Sequence, residues 1–196
     1  WAERMVGLDG EGRLAFGLRP VEAAPVPSAP VAPGDGTAAT GAVLEMSPAA
    51  TAIMAALAAR LAAEGGALLA IDYGYAGPAF GDTLQAIRRH AFADPLAAPG
   101  EADLTAHVDF AALARAAAAA GARPAPLLTQ GAFLARLGIA ARAERLASGK
   151  DGASAAAIAA AVHRLTAPEA MGTLFKVLGV SHSALAALPG FDDDAG

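Results

Sequence analysis

The sequence predicts an α/β fold, and three features carry that reading. A helical pattern beginning at Ser47-Pro48 stops at Gly65-Gly66. The continuous apolar run Ala67-Leu68-Leu69-Ala70-Ile71 follows at once, the habit of a parallel-sheet strand buried on both faces. An acid in a glycine-punctuated loop, Asp72-Tyr73-Gly74, then completes half of a doubly wound unit.

The elements can be justified in order. Trp1 to Pro20 reads as a β-hairpin, with turn residues over Gly7-Leu8-Asp9-Gly10-Glu11-Gly12 and a return strand from Arg13 to Leu18. Residues 21–40 are rich in Pro, Ala and Gly and read as a surface linker. Ser47 can cap the next helix and Pro48 suits its first position, with Ile53, Met54, Leu57 and Leu61 at helical spacing. After the buried strand, Gly74 to Asp103 reads as a long loop broken by a short helix over Thr83 to Arg89. Asp109 caps a helix from Phe110 to Ala120, which Gly121 ends. Ala125 to Thr129 reads as a strand, Gln130 to Leu137, Ala140 to Leu146 and Ser154 to Leu165 as helices, and Met171 to Val180 as a last strand. The acidic tail after Phe191 should fray.

Composition narrows the class. The chain has 196 residues, 55% of them hydrophobic, which is globular composition. Much of that is alanine, so Leu, Ile, Val, Met and Phe must supply the core. Net charge is −5, and the densest basic run is Arg88-Arg89, which argues against nucleic acid as a partner. Cysteine is absent, excluding disulfides and thiol catalysis; a reducing, cytoplasmic compartment fits. The four His are scattered and no H-E-x-x-H occurs, so no metal site is expected. No apolar run reaches the ~18–20 residues of a spanning helix, and no signal peptide is visible. The chain opens at Trp1, inside a predicted strand, so its start reads as a cut.

Few motifs carry chemistry. Gly34-Asp35-Gly36 with Gly41 follows a Pro-rich stretch and not a strand, so it reads as linker and not as a phosphate loop. Asp72 leaves a buried strand, where open α/β sheets bind ligands and where a carboxylate can orient or deprotonate a substrate group. By position alone it reads equally well as a loop cap. Gly81-Asp82-Thr83-Leu84-Gln85 and Asp103 to Phe110 are dense in small polar groups. Each reads as a pocket wall or as a self-bonded loop with Asp82 and Asp109 as helix caps, and His107 reads better as structural than as catalytic. Gln130 and Phe133 read as packing residues at the mouth of a helix.

Taken in order, several of these segments resemble one family. They are Trp1 to Val6, Glu45-Met46-Ser47-Pro48, Gly65-Gly66 with Ile71 to Tyr75, Gly81 to Gln85 with His90, and Asp103 to Phe110. Thr129-Gln130-Gly131, Phe133-Leu134, Leu137-Gly138-Ile139, Met171-Gly172, Leu174-Phe175-Lys176 and Pro189-Gly190-Phe191 follow. Together they look like the MidA methyltransferases, whose mitochondrial members assist assembly of respiratory complex I.

That resemblance implies the carboxyl-terminal part of a class I, Rossmann-like S-adenosylmethionine sheet of order 3-2-1-4-5-7-6, with a β-hairpin and a helical insertion. Ala67 to Ile71 would be strand 5, Ala125 to Thr129 strand 6 and Met171 to Val180 the antiparallel strand 7. The 1–196 portion divides as hairpin 1–20, linker 21–40, α/β portion 41–129, helical insertion 130–167, and final strand and tail 168–191. The family's cofactor loop and the acid of strand 4 would lie upstream, so no cofactor contact carries over to a residue here.

The implied activity is transfer of a methyl group from S-adenosylmethionine to a protein, at arginine, on a respiratory complex I subunit, with this portion inactive by itself. The compartment would be the bacterial cytoplasm or the mitochondrial matrix. Asp72 is the first catalytic candidate, with Tyr73 positioning the substrate. Glu45, Gly74, Gly81, Asp82, Thr83, Gln85 and His107 are the substrate-binding candidates. The rival reading is a non-catalytic assembly protein with a methyltransferase-like fold. A nicotinamide-dependent Rossmann enzyme is disfavoured, because an antiparallel strand 7 would be foreign to it.

Overall fold

A computed structural model describes residues 1–22, 38–77, 79–186 and 188–191. Most of the expected linker, including Gly34-Asp35-Gly36, and the acidic tail lie outside the described residues. The chain forms two compact units, one of Trp1–Glu45 with Phe80–His107, the other of Met46–Ala79 with Val108–Gly196.

In the first unit, β1 (Ala2–Leu8) and β2 (Leu14–Pro20) form the expected hairpin, in register from Leu8↔Leu14 to Ala2↔Pro20. Its turn is held by Asp9, whose Oδ1 accepts from the N–H groups of Glu11 (2.8 Å) and Arg13 (2.9 Å). These bonds, that from Arg13 first, hold the Asp9 carboxyl below its usual range.

In the second unit, α1 (Pro48–Glu64) starts as expected, with Ser47 accepting from the Ala50 N–H and Gly65 ending it at φ +84°. The strand that follows, β3 (Ala67–Tyr75), is longer than the apolar run and contains Asp72, Tyr73 and Gly74. Asp72 therefore does not stand in a loop beyond the strand. Ladder pairing continues past the acid, to Phe175 from Tyr73 and to Val108 and Asp109 from Gly74 and Tyr75.

The expected helix over Thr83 to Arg89 is corrected, and with it the long loop. The first unit instead holds a three-stranded antiparallel sheet of order β5-β4-β6, from β4 (Gln85–Arg88), β5 (Ala91–Ala93) and β6 (Asp103–Thr105). A two-residue turn joins β4 to β5, with Arg89 at φ 51° and His90 at φ 64°. Positive φ at both central residues is the type I′ geometry that matches strand twist, and it normally selects Asn-Gly.

Back in the second unit, β7 (Val108–Asp109) leads straight into α2 (Phe110–Ala119), capped by Asp109 through the Ala112 N–H at 2.9 Å. The single strand expected at Ala125 to Thr129 is two short ones, β8 (Arg123–Pro124) and β9 (Leu128–Thr129). Pro126 sits in the gap and has no N–H to give a ladder. Helices α3 (Gln130–Arg136), α4 (Ile139–Ala147) and α5 (Gly152–Thr166) follow. The last strand starts later than expected, because Pro168–Gly172 forms an irregular turn, kinked at Ala170 (φ −109°, ψ −118°), before β10 (Phe175–Ser181).

The sheet order is β7-β3-β10-β8, with β9 also on β10. β10, last in sequence, runs antiparallel between β3 and the β8/β9 edge, the 5-7-6 order expected of the family. One of its faces packs Leu178 and Val180 against Met54, Ala58, Phe110, Leu113 and Ala117 of α1 and α2. The other packs Val177 against Phe133 and Phe191. Among the described residues, no strand pairs with Ala67–Tyr73 on the edge of β3 away from β10.

Gly74 permits the closest approach in this sheet. A Cβ there would meet the Phe110 ring at 2.7 Å and press on the Val108 carbonyl. Gly74→Ala should therefore cost about 1–3 kcal/mol through overpacking, read as a lower urea midpoint with an unchanged slope.

Candidate functional site

The sequence nominated residues that fall in both units, and each unit is described by itself. In the first, the segments at 43–45 and 80–83 run side by side, tied by a Leu44↔Phe80 bridge and by the Gly81 N–H donating to the Val43 carbonyl at 2.9 Å. That pairing sets Glu45 beside Thr83. The Thr83 N–H donates to Glu45 Oε1 at 2.8 Å, and the Thr83 hydroxyl donates to Oε2. The same hydroxyl accepts from the His107 N–H at 2.8 Å. Glu45, Thr83 and His107 are thus brought together in one part-buried network. It pins three segments far apart in sequence, and both Glu45 oxygens are used.

Asp82 caps no helix. Its two oxygens accept from Arg4 of β1, at 3.0 and 2.8 Å. Arg4 also lies 5.5 Å from the centre of the Phe16 ring. The hydrogen bond to Arg4 holds the Asp82 carboxyl below its usual range, and the bond to Asp82 raises the Arg4 guanidinium. Gln85 opens β4 opposite Thr105. Sequence reasoning missed Arg4, since no local spacing links positions 78 residues apart.

In the second unit, Asp72 lies opposite Lys176 in the β3–β10 register. Asp72 is exposed, although it stands within the strand. It shares a face of β3 with Leu68 and Ala70, which pack on the core of α1 and α2, and with Gly74, which Phe110 approaches. Asp72 Oδ1 accepts from the Tyr73 N–H at 2.8 Å, and among the described residues Oδ2 has no protein partner. Lys176, which the sequence reading left without a role, is pulled below its ordinary value by burial and donates to the Thr173 carbonyl. Its place beside Asp72 becomes legible once β10 is known to pair antiparallel.

Successive strand residues point to opposite faces, so Tyr73 leaves the face that Asp72 does not. Its ring packs on Phe175, centroids 4.3 Å apart. Gly74 supplies close packing and no polar group. Of the candidate carboxylates, Glu45 and Asp82 are bound at both oxygens, whereas Asp72 keeps one oxygen open to a ligand.

The Arg4–Asp82 pair sets a pH signature. A carboxyl whose folded pKa is depressed adds stability above its unfolded value, near 4, and loses it as pH falls through the folded value. Asp82→Asn should lower stability by roughly 0.2–1 kcal/mol at pH 7, the range for a solvent-accessible pair. Urea titrations at pH 7 and pH 3 should show the difference closing at the acid end.

Comparison with known proteins places the chain. A family model for S-adenosyl-L-methionine-dependent methyltransferases matches residues 1–127. The zebrafish (Danio rerio) protein arginine methyltransferase NDUFAF7, mitochondrial, is 39% identical over 132 residues, covering 67% of this chain and 31% of its own length. The homologue of that name in Drosophila melanogaster is 39% identical over 132 residues, 67% of this chain and 30% of its length. A COG1565 superfamily protein of Burkholderia thailandensis superposes with TM-score 0.78 and 30% identity, over 98% of this chain and 52% of its own. A second, solved with S-adenosyl-homocysteine bound, gives TM-score 0.76 and 29% identity over 98% and 50%. The chain thus spans about a third of these curated relatives and about half of these solved structures.

Proposed function

The chain belongs to the family of S-adenosyl-L-methionine-dependent methyltransferases, and from that premise we propose that the protein containing it methylates arginine in a protein substrate, with Asp72 as the carboxylate that receives the guanidinium. The carrying observation is the open oxygen of Asp72 near the end of a core strand, in a chain that superposes on a structure holding the demethylated cofactor.

The described residues do not fit the cofactor by themselves. Among them, no strand passes through a glycine-rich loop into a helix N-terminus; β7 and β9 enter α2 and α3 directly. S-adenosylmethionine would supply the methyl group, held by the part of the relatives' length that this chain does not span. What these residues contribute lies on the substrate side. A guanidinium is protonated at neutral pH, with pKa above about 12, so a carboxylate must orient it and take the proton it loses on alkylation. Asp72 Oδ2 is free for that hydrogen bond, and Lys176 stands directly opposite Asp72 in the ladder. Tyr73 leaves the other face, so its part is to hold the strand through Phe175. In the first unit, described by itself, substrate binding is assigned to Glu45, Thr83 and His107 of one hydrogen-bonded network, to Asp82 held by Arg4, and to Gly81 and Gln85 of the same segment.

The names of the relatives support a protein substrate and a mitochondrial setting in eukaryotes. As part of the same proposal, the partner is a respiratory complex I subunit, and the compartment the mitochondrial matrix or, in a bacterium, the cytoplasm. No described helix is long and apolar enough to cross a membrane. In the intact protein, Asp72→Asn should lower methyl transfer by about 10²–10⁴-fold, the range of general base catalysis, with an unchanged urea midpoint. Unchanged turnover would remove Asp72 from the reaction and favour the non-catalytic assembly reading.

The isolated 196-residue chain should show no saturable binding of S-adenosylmethionine in isothermal titration up to about 1 mM, a limit corresponding to roughly −4 kcal/mol. Saturable micromolar binding would bring the cofactor site back to these residues.

A further inference from the structure

Helices α3, α4 and α5 leave an apolar groove of about 590 Å³ on the second unit. Its walls have a simple pattern. α4 contributes Ile139, Arg142, Ala143 and Leu146, and α5 contributes Ile158, Ala161, Val162 and Leu165. Both sets follow the i, i+3, i+4, i+7 rule that puts side chains on one stripe of a helix. The stripes stay open: Leu137 and Leu146 at the lips are 49% and 46% exposed. Leu134 at the floor joins the groove to the Phe133–Val177–Phe191 core, and none of the fully buried core residues lines the groove.

The charge around it is the second observation. Residues 130–167 carry five Lys or Arg against two Asp or Glu, in a chain whose net charge is −5. Arg142 lines the groove, and Arg145 and Arg164 lie about 60° further round their helices from Arg142 and Ala161. All three are exposed, and among the described residues none has an ion-pair partner. Glu144 projects from the far side of α4. An apolar slot edged by unpaired guanidiniums is complementary to a ligand with an apolar stripe flanked by carboxylates.

We propose that this groove docks an acidic amphipathic helix of a partner protein. The apolar wall from Ile158 to Leu165 spans about two helical turns, or ~10 Å, which matches the i, i+3, i+4, i+7 anchors of a helix laid in a groove. A small molecule fits the site less well. Pockets for small ligands bury most of the ligand surface, whereas these half-exposed lips would leave much of it in water. The guanidiniums would raise the association rate and select against basic segments. This surface is separate from Asp72, so the proposal stands apart from methyl transfer.

The test is fluorescence anisotropy on the intact protein. The probe is a labelled peptide of about 18 residues with Leu at helical anchor spacing and Glu flanking it. The controls are a scrambled peptide and one with Lys in place of Glu. Saturable binding is expected, at least tenfold tighter than either control and weakened by salt. The triple variant Arg142→Glu, Arg145→Glu, Arg164→Glu should lose at least tenfold in affinity with an unchanged circular dichroism spectrum. Leu146→Glu, on the exposed lip, should do the same without reversing the rim. Equal binding of the basic peptide, affinity untouched by both variants, or no binding to the intact protein would overturn the proposal. So would laurate or phosphatidylglycerol vesicles binding in an arginine-dependent way while the peptide does not, since the groove would then serve a lipid.

Discussion

Seven residues of β10 lie antiparallel against β3, from Phe175↔Tyr73 to Ser181↔Ala67, and most of the second unit is organised by that ladder. Val177, Leu178, Val180 and Ser181 are almost fully buried. A strand buried on both faces has to satisfy two cores at once. Leu178 and Val180 meet α1 and α2, while Val177 meets Phe133 and Phe191. Between them Gly179 leaves room for the other layer, since a Cβ there would stand 2.8 Å from Leu188 and Phe191. A one-residue slip would send each side chain to the wrong core, so the register is strongly specified. That register in turn decides which residue of β10 faces Asp72.

The chemistry follows from alternation and from who is already bonded. Asp72 and Lys176 share a face because they are directly opposed, and Tyr73 and Phe175 share the other for the same reason. Two adjacent residues of one motif therefore serve different layers. The other acids in the nominated set are spent on architecture. Glu45 bridges Thr83 with both oxygens and Asp82 chelates Arg4 with both. For Asp82, whose carboxyl Arg4 holds below its usual range, taking a proton would break bonds that the fold uses. Exposure at Asp72 is the complement of that: it contributes little to stability and is left available.

Much of this was legible in the chain. Ser47-Pro48 and Gly65-Gly66 announced both ends of α1, Asp109 announced α2, and Ala67 to Ile71 announced a strand, because caps and apolar runs are local signals; its expected burial on both faces is corrected, since Leu69 and Ile71 are exposed. The β4–β5 hairpin was not legible, since its turn uses Arg89 and His90 where Asn and Gly would have signalled positive φ. The alternation of Gln85 to Arg88 is also too short to outvote a helical reading. Pro126 could have split the strand at Ala125 to Thr129 in advance. At the candidate site, Asp72 was nominated by position, but its exposure and its separation from Tyr73 needed the true length of β3. Arg4 pairs with Asp82 across 78 residues, and no periodicity in one sequence reports such a contact.

Two unsatisfied surfaces of the second unit differ in kind, and the difference says what each can receive. Along Ala67–Tyr73 the outer edge of β3 lacks a partner among the described residues, and Leu69 and Ile71 beside it are 49% and 44% exposed. What is missing there is chiefly backbone: a row of N–H and C=O groups that only another strand can pair. Water satisfies them at first, but it leaves the neighbouring apolar side chains uncovered, so a strand with an apolar face is the complement. In the groove of α3, α4 and α5 every helical backbone group is already bonded within its own helix, apart from the ends. What is missing there is side-chain contact, in a stripe with helical period and a basic rim. A strand would bring the wrong period and no gain in backbone pairing. A helix brings the matching period, and carboxylates on its flanks meet guanidiniums that have no partner within the described chain. The first surface asks for completion of a sheet and the second for an amphipathic helix, so one element could not satisfy both.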